Sequence, residues 1–152
     1  MSTYEQTLKD ITNIPKKIKI AFVVAEFNRE YTSQLELLNI WYLNQQWFKN
    51  VESYYVPWAF EIPWATKKLL ATEEFDLIIT LWVVIRWETP HFDYVCNETS
   101  RWIMDLTLEF DTPIIFWVLT CNNEEQVKER IKPNYAISWL NLLSEMYKIF
   151  SM

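Results

Sequence analysis

The run Arg86-Trp87-Glu88-Thr89-Pro90-His91-Phe92-Asp93-Tyr94-Val95-Cys96-Asn97-Glu98 sets the single histidine of the chain just past an apolar stretch, where a helix should begin. Thr89 can serve as N-cap and Pro90 as the first helical residue, which puts His91 in the first turn, where backbone N–H groups still lack intrahelical partners. Such a helix end attracts anions. An imidazole that gives or takes a proton near neutral pH, beside a phosphate cradle, suits proton transfer on a phosphorylated substrate. The residues alone leave a capping or partly buried histidine as the competing reading.

The elements that would position this segment follow from hydrophobic pattern. Residues 18–25, 51–56, 75–85 and 113–119 read as strands, three of them nearly continuous apolar runs of the kind covered on both faces in a parallel sheet. Ser33-Gln34-Leu35-Glu36 has capping-box form and predicts a helix to about Gln46, and Pro63 near the start of 61–71 predicts a second. A third over 90–110 carries Phe92, Val95, Cys96, Thr99, Ile103, Leu106 and Phe110 on one stripe, which reads as core. Asn123-Glu124-Glu125-Gln126 opens a short fourth helix that Pro133 ends, and a last helix covers about 136–150. Alternating strands and helices predict an α/β fold: a three-layer sandwich around a four-stranded parallel sheet of flavodoxin-like topology. Ligands then belong at the carboxyl ends of the strands, near Phe27, 59–61, 83–91 and 116–120. Residues 1–15 read as an arm ordered only by a neighbour, and 16–152 as a single domain.

Composition narrows the function classes. A formal net charge of -6 and sequence pI ≈ 4.8, with basic residues only single or paired, argue against nucleic acid. No apolar run spans a bilayer and the polar start lacks a signal-peptide core, so the expectation is a cytoplasmic protein with no membrane partner. Cys96, Cys121 and one histidine do not make an ordinary zinc site, and the thiols read as small buried apolar residues. The oddest feature is the absence of glycine beside nine tryptophans, in a chain that must make several tight turns.

Four segments, in order, carry a resemblance to a known family: Val24-Ala25-Glu26-Phe27-Asn28; Val56-Pro57-Trp58-Ala59-Phe60-Glu61-Ile62-Pro63; Val84-Ile85-Arg86-Trp87-Glu88-Thr89-Pro90-His91-Phe92-Asp93-Tyr94-Val95; and Ile115-Phe116-Trp117-Val118-Leu119-Thr120 with Asn123-Glu124-Glu125-Gln126 and Glu129-Arg130 beyond it. From about Lys17 to Met146 the chain resembles the lumazine synthases. The resemblance implies condensation of 5-amino-6-(D-ribitylamino)uracil with 3,4-dihydroxy-2-butanone 4-phosphate, releasing phosphate and water, in riboflavin biosynthesis, with no metal or organic cofactor. It implies that Phe27 stacks on the pyrimidine and that Ala59, Phe60 and Glu61 line the ribityl chain. The backbone of Val83, Val84 and Ile85 would bond the pyrimidine edge, Glu88 and Thr89 would hold phosphate at the helix start, and His91 would transfer protons. Phe116 and Arg130 would reach a neighbouring subunit's site, in a homopentamer that can also close into capsids. A non-catalytic shell protein of the same fold is the alternative, and a flavin-binding module a third; retention of Phe27, Glu61, Thr89, His91, Phe116 and Arg130 together favours the enzyme.

Two departures stand out. Tryptophans at 41, 47, 58, 82, 87, 102, 117 and 139 occupy positions where this family typically has glycine, and Trp64 falls where it has a variable apolar or small residue. A UGA codon read as glycine in the source and as tryptophan here would account for this in one step; an engineered chain is the alternative. Between Arg130 and Trp139, where a Lys- and Gly-rich loop is usual, the chain has Ile131-Lys132-Pro133-Asn134-Tyr135-Ala136-Ile137-Ser138, with Ser138 in place of the usual lysine.

Overall fold

A computed structural model describes residues 7–132 and 134–150. The elements run β1 (Ile20–Ala25), α1 (Arg29–Gln45), β2 (Val51–Val56), a 3₁₀ turn (Ala59–Glu61), α2 (Ile62–Leu70), β3 (Leu77–Ile85), α3 (His91–Glu109), β4 (Ile114–Cys121), α4 (Glu124–Arg130) and α5 (Asn134–Phe150). All four strands are parallel in the order β2-β1-β3-β4. The expected three-layer α/β architecture is the one observed.

Side-chain alternation divides the core between the two faces of the sheet. Ala21, Val23 and Ala25 of β1 and Ile78, Trp82 and Val84 of β3 are buried with Ile62 and Ala65 of α2 and Phe92, Val95, Ile103 and Leu106 of α3. Ile20, Phe22 and Val24 with Leu77, Ile79 and Leu81 are buried on the other face with Leu43 of α1 and Leu140 and Leu143 of α5. Val83 and Cys121 continue that second face beneath Tyr31 and Leu35 of α1 and Val127 of α4. The central strands β1 and β3 are therefore almost wholly apolar, interrupted by the buried Thr80, while the edge strands β2 and β4 carry exposed positions.

Several boundaries differ from the sequence expectation. Helix α1 starts at Arg29, not at the Ser33 capping box; Asn28 takes a left-handed conformation (φ 58) and its side-chain amide donates to the Val83 carbonyl at 2.8 Å. Short polar Asn tolerates that conformation. Ser33 lies inside the helix, and Glu36 accepts from the Tyr55 hydroxyl at 2.8 Å instead of closing a cap. Strand β4 extends to Cys121 because its ladder with β3 continues to Ile85↔Cys121. Helix α4 is capped as expected, Asn123 accepting from the Gln126 N–H at 3.0 Å and Gln126 returning a bond from Asn122 N–H at 2.8 Å. Pro133, expected to end it, lies outside the described residues.

The described part of the arm packs on its own chain rather than waiting for a neighbour. Ile11 and Ile14 are buried. Asn141 donates to the Thr7 carbonyl at 3.0 Å and accepts from Lys9 N–H at 2.8 Å, and the Asn13 amide donates to the Ser144 carbonyl at 2.8 Å.

Candidate functional site

The carboxyl ends of β1, β2 and β3 meet where strand pairing runs out. Beyond β1 the ladder continues for two more bonds, Glu26 N–H to the Val56 carbonyl at 2.8 Å and Phe27 N–H to the Pro57 carbonyl at 3.1 Å. These bonds carry Phe27 over the start of the 3₁₀ turn. That turn is fixed by Glu61, whose carboxylate accepts the Trp58 N–H at 3.1 Å. Beyond β3, the Arg86 N–H donates to the Cys121 carbonyl at 2.8 Å, and the chain turns into α3.

Four expected site residues come together here: Ala59, Phe60, Glu61 and His91 line a cavity of ≈ 320 Å³ with Trp58, Trp82, Trp87, Tyr94 and Val95. His91 makes no hydrogen bond or ion pair among the described residues. Its ring stacks on Trp87, centroids 5.5 Å apart and planes 19° apart. Phe27 sits at the same opening with its face taken by Trp58, at 4.3 Å and 21°, and with Trp87 edge-on at 6.0 Å. The surface that a flat heterocycle would use is thus occupied by an indole of the same chain.

The helix start differs from expectation by one residue. Pro90, not Thr89, is the N-cap of α3; its carbonyl accepts from Asp93 N–H at 3.0 Å and Tyr94 N–H at 3.3 Å, and no side chain caps the end. His91 is the first helical residue, and Glu88 and Thr89 are exposed in the preceding bend. The uncapped N–H groups of this first turn, with Thr89 beside them, form a surface that favours an anion. Val83 and Val84 are fully buried at the end of β3 with Ile85 partly so.

Phe116 and Arg130 do not join this cavity. Phe116 lies on the free edge of the sheet, 40% exposed, beside Thr80 in the ladder. Arg130 ends α4, on the opposite face of the sheet from α2 and α3, and donates to the Gln126 carbonyl at 3.0 Å.

Arg86 is a positioning residue that the sequence reading passed over. Its guanidinium pairs with Asp93 at 3.1 Å, donates through Nε to the Asn122 side chain at 3.0 Å and lies 4.4 Å from the centroid of the Phe92 ring. One side chain thereby ties the ends of β3 and β4 to the first turn of α3. Its signal was a lone cation directly after an apolar strand and seven residues before an acid. Burial, then the nearby Asp93 charge, push the Cys96 thiol up to about 11, which disfavours its thiolate. Burial likewise raises Cys121. Among the described residues no three His, Cys, Asp or Glu side chains cluster as a metal site, and no helix is long and apolar enough to cross a membrane.

Comparison with known proteins agrees with this geometry. The family model described as 6,7-dimethyl-8-ribityllumazine synthase matches residues 17–151. A protein of Limosilactobacillus reuteri (strain DSM 20016) named 6,7-dimethyl-8-ribityllumazine synthase is 44% identical over 112 residues, covering 74% of each chain. With a parallel sheet in flavodoxin-like order and the four motif segments at its carboxyl end, the chain belongs to the 6,7-dimethyl-8-ribityllumazine synthase family.

Proposed function

We propose that this protein condenses 5-amino-6-(D-ribitylamino)uracil with 3,4-dihydroxy-2-butanone 4-phosphate to 6,7-dimethyl-8-ribityllumazine, releasing phosphate and water, as a cytoplasmic transferase of riboflavin biosynthesis. The observation that carries the site is the convergence of Ala59, Phe60 and Glu61 with His91, from separate segments, on one cavity at the carboxyl end of the sheet. In this reading Phe27 stacks on the pyrimidine, and the backbone of Val83, Val84 and Ile85 bonds its edge. Ala59, Phe60 and Glu61 hold the ribityl hydroxyls. Glu88 and Thr89 offer backbone N–H groups and a hydroxyl to the phosphate, with the Glu88 carboxylate turned away.

The chemistry asked of the protein is modest. The 5-amino group adds to the ketone carbonyl and one water leaves, phosphate departs, and the ribitylamino nitrogen closes the ring on the remaining carbonyl with loss of a second water; holding two reactants together supplies much of the acceleration. His91, whose side chain has no polar partner among the described residues, gives and takes the protons of these steps. Phe116 and Arg130 do not line their own cavity and, in this reading, complete the site of an adjacent subunit, Arg130 pairing with phosphate. The assembly in this reading is a homopentamer.

One observation favours the second reading, a shell protein that kept the fold and lost the site: Trp58 and Trp87 cover Phe27 and His91. Mixing both substrates with the protein carrying glycine at its tryptophan positions, and following lumazine absorbance, separates the two. Enzyme-dependent product is expected; its absence leaves the shell. Native mass measurement of the same sample tests assembly, with a pentamer or a multiple of it expected and a monomer removing the role given to Phe116 and Arg130.

A further inference from the structure

Backbone geometry and residue type disagree at several tryptophans. Helix α1 ends in a Schellman motif: Phe48 N–H reaches the Leu43 carbonyl at 3.0 Å, and Trp47 N–H the Asn44 carbonyl at 3.1 Å. The residue this motif places in the left-handed region is Trp47, at φ 68. That position belongs to glycine, because a Cβ there crowds the backbone, and a bulky residue at positive φ is an outlier. Nothing in the packing compensates, since Trp47 is 74% exposed and the contact its ring makes is with the Lys49 ammonium at 5.7 Å.

Trp82 presents the opposite problem. It lies in the middle of the central strand β3 with no exposed surface, and its indole N–H has no hydrogen-bond partner among the described residues. A buried indole normally finds an acceptor. Trp58 and Trp87 lie across Phe27 and His91, as described above. Trp41, Trp64 and Trp102 are half exposed or more, and the latter two line a shallow apolar groove of ≈ 290 Å³ between α2 and α3. The nine tryptophans thus include one in a glycine conformation, one orphaned in the core, two over the site and three adding apolar surface. At the usual glycine frequency of about 7%, a chain this long carries about ten glycines; this one has none.

We infer that the functioning protein has glycine at all nine tryptophan positions, each specified by a codon, UGA, that its source decodes as glycine and a differently assigned code decodes as tryptophan. At 47 and 82 the inference stands on backbone conformation and burial alone. At 58 and 87 it also rests on the proposed site. Glycine at 58 and 87 uncovers the Phe27 face and the imidazole, and glycine at 64 and 102 removes the indoles lining the α2–α3 groove, leaving Phe60 as the aromatic side chain there.

The intact mass of the protein purified from its own source decides the matter. Nine equal Trp-to-Gly decrements below the mass of the chain as written are expected; a mass carrying nine tryptophans overturns the inference. A second measurement uses Trp47→Gly and Trp82→Gly in the recombinant chain. Relief of strain and overpacking predicts a melting temperature higher by about 2–10 °C for each variant. If the tryptophans are native, Trp82→Gly instead opens a cavity and lowers it, so no rise, or a fall, counts against glycine. Finally, Trp58→Gly/Trp87→Gly should bind 5-amino-6-(D-ribitylamino)uracil about two- to tenfold more tightly, the worth of one aromatic stacking contact. A native mass showing nine glycines without that gain sinks the proposed site and leaves the glycine assignment standing.

Discussion

At the amino ends of the strands, the Lys19 ammonium lies 3.1 Å from Glu52 and 3.0 Å from Glu74, over the Phe75 ring, while the Lys19 N–H donates to Asp76 at 2.7 Å. At the carboxyl ends, His91 has a ring neighbour and no polar partner among the described residues, and the Glu61 carboxylate holds a turn while still lining the cavity. The first region has its polar groups matched to one another, so it can secure the sheet but has little left to offer a ligand. The second leaves the exposed His91 imidazole without a protein partner beside an opening, so it stays available to a ligand. That contrast, rather than overall fold, is what distinguishes the end of the sheet proposed as the site.

The contrast is sharpest at His91. In the glycine-bearing protein, His91→Ala should lower kcat by about 10²–10⁴-fold with KM for both substrates nearly constant, measured by steady-state kinetics. An unchanged kcat would move proton transfer elsewhere. In the middle of the sheet, equidistant in role from both ends, Phe22→Ala should cost about 3–5 kcal/mol by denaturant unfolding. Its kcat, measured well below the unfolding midpoint, should stay close to the parent value, since Phe22 packs under α1 and α5, away from the cavity.

Arg130→Ala should raise the apparent KM for the phosphorylated ketone by about tenfold or more, while the constant for the pyrimidine changes little. Movement of the pyrimidine constant instead would contradict the placement of Arg130 at a neighbour's phosphate. The smallest effect belongs to the amino end. Glu52 is held below its ordinary value of 4.5 by the Tyr54 hydroxyl and then by Lys19. Its stabilising contribution is therefore present above 4.5 and fades as pH falls through the lowered value. Lys19 is held above 10.5 by Glu74 and Glu52, so its contribution is complete below 10.5 and fades as pH rises through the raised value. Glu52→Gln should flatten the acid limb of a stability-versus-pH curve slightly and leave kcat unchanged at neutral pH. A kcat loss there would mean that the two ends communicate.

Much of this organisation was legible in the sequence because buried parallel strands write themselves as apolar runs. β1, β2 and β3 came out within two residues, and the α3 stripe from Phe92 to Leu106 is the buried face observed. The misplaced elements depend on contacts that local pattern does not contain. The start of α1 is set by Asn28 bonding Val83, 55 residues away, and the true end of β4 by its pairing with Ile85. At the site, the segments bearing Ala59, Phe60, Glu61 and His91 were legible as strand ends that converge. The role of Arg86 was not, because its partners lie in two other segments, Phe92 and Asp93 at the start of α3 and Asn122 just past β4. The indoles over Phe27 and His91 were expected only as crowding; which ring lies on which required coordinates.

The arm on α5 bears on how the chain is made. Thr7, Lys9, Asp10 and Asn13 bond to Asn141 and Ser144, residues more than a hundred positions later, and Leu140 and Leu143 close the sheet face that Ile11 and Ile14 also cover. During synthesis the other face can be covered as soon as α2 and α3 exist, whereas this one has only α1 until α5 has emerged. Part of the surface of Phe22, Ile79 and Leu81 then waits uncovered until the end of translation, with the arm unable to settle because its partner does not yet exist. Whatever shields nascent apolar surface in the cell has its longest task on that side of the sheet.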